Sequence, residues 1–431
     1  MLVLCGLMFS FGSENIETRQ LSPEELKKDV AILRKAMEKY HPGLYWYTSK
    51  KEFDLTWDSL NANLDKPMAE DKFLKLLLPV IAKVKCAHTL FYPSDKILAQ
   101  GTRFPLDLKF INGKGYIMPA SLNQFDIPKG SELLAINGKS LKEIVDLLLP
   151  NLQAQGGNLG WKYIILENDF QNYYYYIIEH PESFEIEYID HATGQNVLRR
   201  VNGSSEETLR KHWKNWYPRE TGEPLKMKFL RDPDVAVVTV RSFTKGRHKQ
   251  FHQDFDKLMD QYFEEINSKG IQNLIMDVRG NEGGNEPEKL YSYIAREGER
   301  STDNPPDIIL PARNNFKGKV IVLANERSIS AQETFVSIFM DNKRGMTIGQ
   351  STPGCHRGLT GGKKYKLILP YSRHEIRIPM YASLRSYTSK LNYKEGEGFP
   401  PDFKVEENIN DILAGKDLAL EIALDKMKKE E

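Results

Sequence analysis

Ser330 stands where a serine can do more than end a helix. The apolar run Val320–Ala324 reads as a buried strand, Asn325–Ser328 as a short polar turn, and the residues after Ser330 as a helix. A hydroxyl at that junction lies at a sheet edge, beside backbone N–H groups that a helix leaves unpaired. The chemistry this permits is nucleophilic attack, with the developing negative charge held by N–H donors. The same residues also read as an ordinary helix start, since Ser330-Ala331-Gln332-Glu333 fits the S-x-x-E capping box. A second stretch offers the donors. Leu274–Val278 reads as a strand that ends in a charged turn and then in Gly283-Gly284. Glycines there let N–H groups approach a ligand closely and hold an oxyanion, although strand–glycine turns are frequent without that role.

The elements that must position these residues follow from periodicity. Ser22-Pro23-Glu24-Glu25 is a helix start, and Leu26, Val30, Leu33, Met37 and Tyr40 form one apolar stripe that His41-Pro42-Gly43 ends. A second helical pattern runs from Met68 to Val84 and leads into Lys85-Cys86-Ala87-His88. Over 102–203 the chain turns to short β-like runs: Pro105–Ile111, Lys114–Met118, Glu132–Ile136, Phe184–Ile189 and Val197–Val201. Ser140–Leu149 reads as a helix, and 150–180 as a helical, aromatic insertion whose Tyr173–Tyr176 suit core packing better than a ligand platform. From about 225, strand and helix alternate. The strands are Val235–Val240, Asn273–Val278, Val320–Ala324, Met346–Ile348, Lys366–Pro370 and Glu375–Pro379; the helices are Lys249–Ile266, Pro287–Ala295 and Ala331–Asp341. This is a mixed α/β chain of several domains.

Composition excludes some functions. Across 431 residues, 60 basic side chains face 59 acidic ones, so there is no basic excess for nucleic acid. The three cysteines make neither a disulfide framework nor a C-x-x-C zinc spacing, and no metal or organic cofactor is implied. Leu2–Phe11 is apolar and uncharged, too short for a permanent membrane span but of leader-peptide length, which implies export to the cell envelope. Leu2-Val3-Leu4-Cys5-Gly6 faintly suggests a lipid-anchoring box.

In order and spacing these pieces resemble the C-terminal processing peptidases, also called tail-specific proteases, and their tricorn-core relatives. Val235–Phe243 is similar to the family's opening strand of the core, and Asp277–Gly284 to its D-[LV]-R-x-N-x-G-G turn. Ser328–Glu333 resembles its S-x-S-A-x-E nucleophile turn, and Glu395–Asp402 its late E-x-x-G-x-x-P-D segment. The resemblance implies a leader over 1–20, an N-terminal helical domain over 21–100, a PDZ-like domain with a helical insertion over 101–205, and a serine peptidase core over 225–431. It implies Ser330 as nucleophile, with the oxyanion held by Gly283, Gly284 and Ala331, and polypeptide or peptide substrates.

The general base differs between branches. The lysine that one branch draws from a T-F-G-K-G segment falls on Cys355, whose thiol (pKa about 8.5) is no substitute for an amine base. Lys363 and Lys364 lie off that position, and adjacent Cys355 and His356 would point to opposite sides of an extended segment. The tricorn-like branch takes a histidine from a G-H-T-like segment, and Cys86-Ala87-His88-Thr89 resembles it, with Ala87 where an accessory serine can stand. The resemblance therefore implies His88 as base and Glu395 as the orienting acid. Asp341 also matches a family position, but it is three helical turns beyond Ser330 and reads as structural. Read without the resemblance, His88 is an ordinary core histidine. On the same fold, a chain that had lost catalysis would remain a peptide-binding or apolar-ligand-binding protein.

Overall fold

The computed structural model describes residues 19–99, 101–118, 125–209, 211, 222–231, 234–354, 357–387 and 396–428. All but the last two residues of the expected leader lie outside these ranges, as do Cys355, His356 and Glu395.

Three helices open the chain: α1 Pro23–Tyr40, α2 Lys50–Ala62 and α3 Glu70–Ala82. The Glu25 carboxylate accepts the Ser22 N–H at 2.9 Å and the Ser22 hydroxyl accepts the Glu25 N–H at 3.3 Å, closing the expected capping box. Leu26, Val30, Leu33 and Met37 are buried, as their spacing requires. The helix α2 lies between the two patterns read from sequence. It buries Phe53, Trp57 and Leu60 at four- and three-residue steps, within a polar stretch that masks the stripe. After α3 comes a three-residue strand, β1 Leu90–Tyr92.

The middle of the chain builds a six-stranded antiparallel sheet. Its strands are β2 Asp107–Ile111, β3 Lys114–Met118, β4 Glu132–Ile136, β5 Ser183–Ile189 and β6 Asn196–Asn202, in the order β6-β5-β4-β3-β2, with Lys139–Ser140 paired beside β4. Helices α4 Leu141–Leu148 and α5 Leu159–Ile177 supply its hydrophobic cover, and Tyr173–Tyr176 are buried within that core.

The last half forms a second six-stranded sheet. Its strands are β7 Leu225–Leu230, β8 Val235–Val240, β9 Asn273–Asp277, β10 Lys319–Ala324, β11 Met346–Gly349 and, joined at the far edge, Phe403–Lys404. The first pair is antiparallel and the rest are parallel. Buried apolar clusters cover both faces, which explains why β8, β9 and β10 read as unbroken apolar runs. Lys249–Ile266 is not one helix. It is Lys245–Gln250 followed by α6 Phe255–Ser268. The break falls where His252 takes φ 53° and the Asp254 carboxylate caps α6 by accepting the Lys257 N–H at 3.0 Å. Helix α7 Ala331–Asp341 follows Ser330.

A long hairpin joins the two ends of the molecule. The expected strands Lys366–Pro370 and Glu375–Pro379 are only its closing half; the full strands are β12 Gly358–Ile368 and β13 Glu375–Leu384, with a bulge between Gly361 and Lys364. The Gly361-Gly362-Lys363-Lys364 run breaks the apolar alternation that would have announced the other half. β1 pairs with β13, and the hairpin's Leu367, Leu369, Ile376 and Ile378 share one core with α1–α3. Asp29 of α1 is fully buried and accepts the N–H groups of Tyr371 and Ser372 at 3.2 and 2.8 Å, tying the helix to the hairpin turn. Asp29→Ala strands both donors and is expected to lower the unfolding free energy of this module by about 2–3 kcal/mol in urea titration, with an unchanged midpoint contradicting the tie.

Candidate active site

Two loops meet at the C-terminal ends of neighbouring parallel strands: residues 278–284 after β9 and 325–330 after β10. They are hydrogen-bonded to each other. The Ile329 N–H donates to the Asn281 carbonyl at 3.1 Å, the Gly280 N–H to Asn325 Oδ1 at 3.0 Å, and the Ser328 hydroxyl to the Val278 carbonyl at 3.3 Å. Asp277 anchors the first loop through Arg241 at 2.7 Å and Arg279 at 2.8 Å, and Arg279 continues to Asp417. Burial pushes the Asp277 carboxyl up, but the bonds from Arg279 and Arg241 outweigh it and hold the group far below the usual carboxylate range. Arg327 ties the second loop to the middle sheet through Glu167 of α5, which also pairs with Lys109 of β2 at 3.1 Å.

This zipping forces an unusual backbone at Ser330, with φ 64° and ψ −125°. A serine pays for that conformation, so the surroundings must impose it. Gly283 is one reason: a Cβ there would lie 2.8 Å from both Ala331 N and Ser330 Cβ. The Glu333 side chain is another. Its carboxylate accepts the Ser330 N–H at 3.2 Å and the Gly354 N–H at 2.8 Å, so it caps α7 and fixes the following segment at once. The capping half of that role was legible as S-x-x-E; the bond to Gly354 had no sequence signal.

His88 Nε2 lies 3.2 Å from Ser330 Oγ, across 242 residues of chain. Burial, then the Lys364 ammonium and His41, push the His88 imidazole down to about 4. The ring is therefore neutral at pH 7, and in its Nδ1–H tautomer Nε2 can accept a proton from a hydroxyl. His88 Nδ1 is buried without a partner among the described residues. Gly361 in the hairpin bulge faces the ring, where a Cβ would stand 3.6 Å away.

The expected donors divide. The Gly283 N–H donates to Oδ1 of the fully buried Asn281 at 2.8 Å. The N–H groups of Gly284 and of Ala331, the residue after Ser330, have no partner among the described residues. Asp341 is buried at the far end of α7, away from the hydroxyl. Glu395 itself is outside the described residues, but Gly396 after it is held. Asn158 Nδ2 donates to the Gly396 carbonyl at 3.2 Å, and Gly156, packed against Gly396, donates its N–H to the Lys85 carbonyl at 2.9 Å. Among the described residues no cluster of three or more His, Cys, Asp or Glu could hold a metal ion, and no helix is long and apolar enough to cross a membrane.

Burial pushes the Glu333 carboxyl up to about 7, against the bonds from Ser330 and Gly354 and the charge of Arg385. A raised carboxyl pKa stabilises the fold below the unfolded value, and that stability drains away as pH rises through about 7. Glu333→Gln removes this slope. Between pH 5 and pH 8 the variant is expected to gain about 2–3 kcal/mol of unfolding free energy relative to wild type. Parallel stability–pH curves in urea titration would contradict the assignment.

Residues 234–405 match the family model of peptidase family S41. Over 197 residues the chain is 29% identical to the tail-specific protease of Haemophilus influenzae, an alignment that takes in 43% of this chain and only 26% of that protein's length. Among solved structures, mature CPAF superposes with a TM-score of 0.69 at 14% identity, covering 94% of this chain and 97% of that one. A protein from Parabacteroides merdae superposes with a TM-score of 0.51 at 16% identity, covering 95% and 98%. At such identities these two structures speak for the fold. Residues 234–405, which contain the Asp277 turn, the glycine pair and Ser330, are thus the part of the chain that is similar to peptidase family S41, and the chain spans about a quarter of the length of the tail-specific protease it matches.

Proposed function

We propose that this chain is a serine-type peptidase that hydrolyses peptide bonds with Ser330 as nucleophile and His88 as general base. The observation that carries this reading is the 3.2 Å approach of His88 Nε2 to Ser330 Oγ. In the reaction, His88 Nε2 takes the Ser330 proton as Oγ attacks the peptide carbonyl. The N–H groups of Gly284 and Ala331 receive the oxyanion, Ala331 adding the positive end of α7. His88 then gives the proton to the leaving amine, and water repeats the sequence on the acyl-enzyme. We assign Glu395 as the acid that orients or polarises the His88–Ser330 pair. The chain of contacts Gly396–Gly156–Lys85 supports it, because Lys85 is three residues before His88. The substrates are polypeptides, and a tail-specific preference follows the Haemophilus influenzae relative's name. The apolar run Leu2–Phe11 fits delivery of such an enzyme to the cell envelope.

Ser330→Ala and His88→Ala are each expected to lower peptide cleavage by at least ~10³-fold while leaving the melting transition in place. Wild-type cleavage in either variant removes the reading. The pH profile supplies a second check. His88 accepts a proton only when neutral, so kcat/KM should fall as pH drops through about 4. An acid limb near the ordinary histidine value would mean that a different base, or a solvated His88, is at work.

A further inference from the structure

The loop that carries His88 is fixed at both ends by buried side-chain contacts, and one of them involves a second histidine. At the start, Cys86 Sγ and Thr360 Oγ1 of β12 are 2.6 Å apart. At the end, Thr89 is fully buried, and its hydroxyl lies 3.0 Å from Nε2 of His41, the residue that caps α1. The direction of that bond is set by the other ring nitrogen. His41 Nδ1 accepts the Gly43 N–H at 3.1 Å, so in the neutral ring Nε2 carries the hydrogen and donates it to Thr89 Oγ1. Burial pushes the His41 imidazole down to about 4, which keeps it neutral and in this tautomer at pH 7. His88 sits between these two clamps, and its own Nδ1 has no partner among the described residues. Among the described residues, what holds the His88 loop is these two clamps on its neighbours.

We infer that His41 is a positioning residue, whose Nε2–H bond to Thr89 Oγ1 holds the His88 peptide so that Nε2 faces Ser330. This rests on the reading of His88 as general base. The His41-Pro42-Gly43 stop then has two uses. Pro42 and Gly43 end α1, and the Gly43 N–H selects the tautomer that His41 presents to Thr89. A misplaced base lowers the rate of proton transfer more than it lowers peptide binding, so the effect belongs in kcat rather than in KM.

The test is a double-mutant cycle with a fluorogenic peptide selected for cleavage by the wild-type chain. Thr89→Val is near-isosteric and cannot accept, Thr89→Ser keeps the acceptor, and His41→Phe removes the donor. Thr89→Val and His41→Phe are each expected to lower kcat about 100-fold with KM within about twofold of wild type. The double variant should be no worse than either single, because both remove the same bond. Thr89→Ser should restore at least about half of wild-type kcat. If His41→Phe does not fold, as judged by near-ultraviolet circular dichroism, the Thr89 pair carries the test alone. Wild-type kcat in Thr89→Val, or losses that multiply in the double variant, would overturn the inference. His88→Ala, assayed alongside, separates the two claims. Full activity there sinks the base assignment itself; an inactive His88→Ala beside a fully active Thr89→Val sinks only the role of His41.

Discussion

Three residues of antiparallel strand bring the His88 loop to the half of the chain that carries Ser330. Leu90–Tyr92 pairs with Glu375–Arg377, and His88 is only two residues before that strand. The hairpin that offers the pairing is itself buried against the N-terminal helices through Leu367, Leu369, Ile376 and Ile378. His88 is thus delivered by one hydrophobic core and Ser330 by another. A contact between side chains 242 residues apart would carry a large loop-closure cost if only their own hydrogen bond held it. The shared core meets that cost before any chemistry begins, and the bulge at Gly361 leaves the imidazole room to face the hydroxyl.

The second core does comparable work on Ser330. A backbone at φ 64° is not one that serine adopts unaided. Here it is imposed from three sides. Asn281 and Asn325 zip the two strand-end loops together, Gly283 lets the first loop lie flat against the second, and the Glu333 carboxylate grips the Ser330 N–H. The Asn281 carboxamide also takes up the Gly283 N–H. Both glycines allow close approach: a Cβ at Gly283 would meet Ser330 and Ala331, and one at Gly284 would meet the Phe243 backbone.

Much of this was legible in the sequence, for physical reasons. Strands β8, β9 and β10 are continuous apolar runs bounded by charged or glycine turns, so their ends are well marked. Helix α7 announces itself through S-x-x-E, and Ser330 is visible because it sits on that boundary. His88 was visible only through the ordered set of motifs, since nothing local distinguishes it from a core histidine. What stayed hidden depends on tertiary contact. The Glu333–Gly354 bond, the Asn281 side chain on Gly283 and the His41–Thr89 pair each join residues that no periodicity relates. The break at His252 and the far half of the β12–β13 hairpin stayed hidden as well, because a polar or glycine-rich stretch carries no alternation to read.

The buried, neutral imidazole describes a resting site with its proton acceptor ready but weak, and an acid on its Nδ1 side would strengthen it during turnover. The most direct measurement of the pairing is the rate at which a fluorophosphonate acylates the protein, followed by intact mass and mapped by peptide digestion. The account expects one adduct, on the peptide containing Ser330, formed at least ~10³-fold more slowly in His88→Ala. An adduct on another residue, or labelling of Ser330 at the same rate without His88, would contradict it.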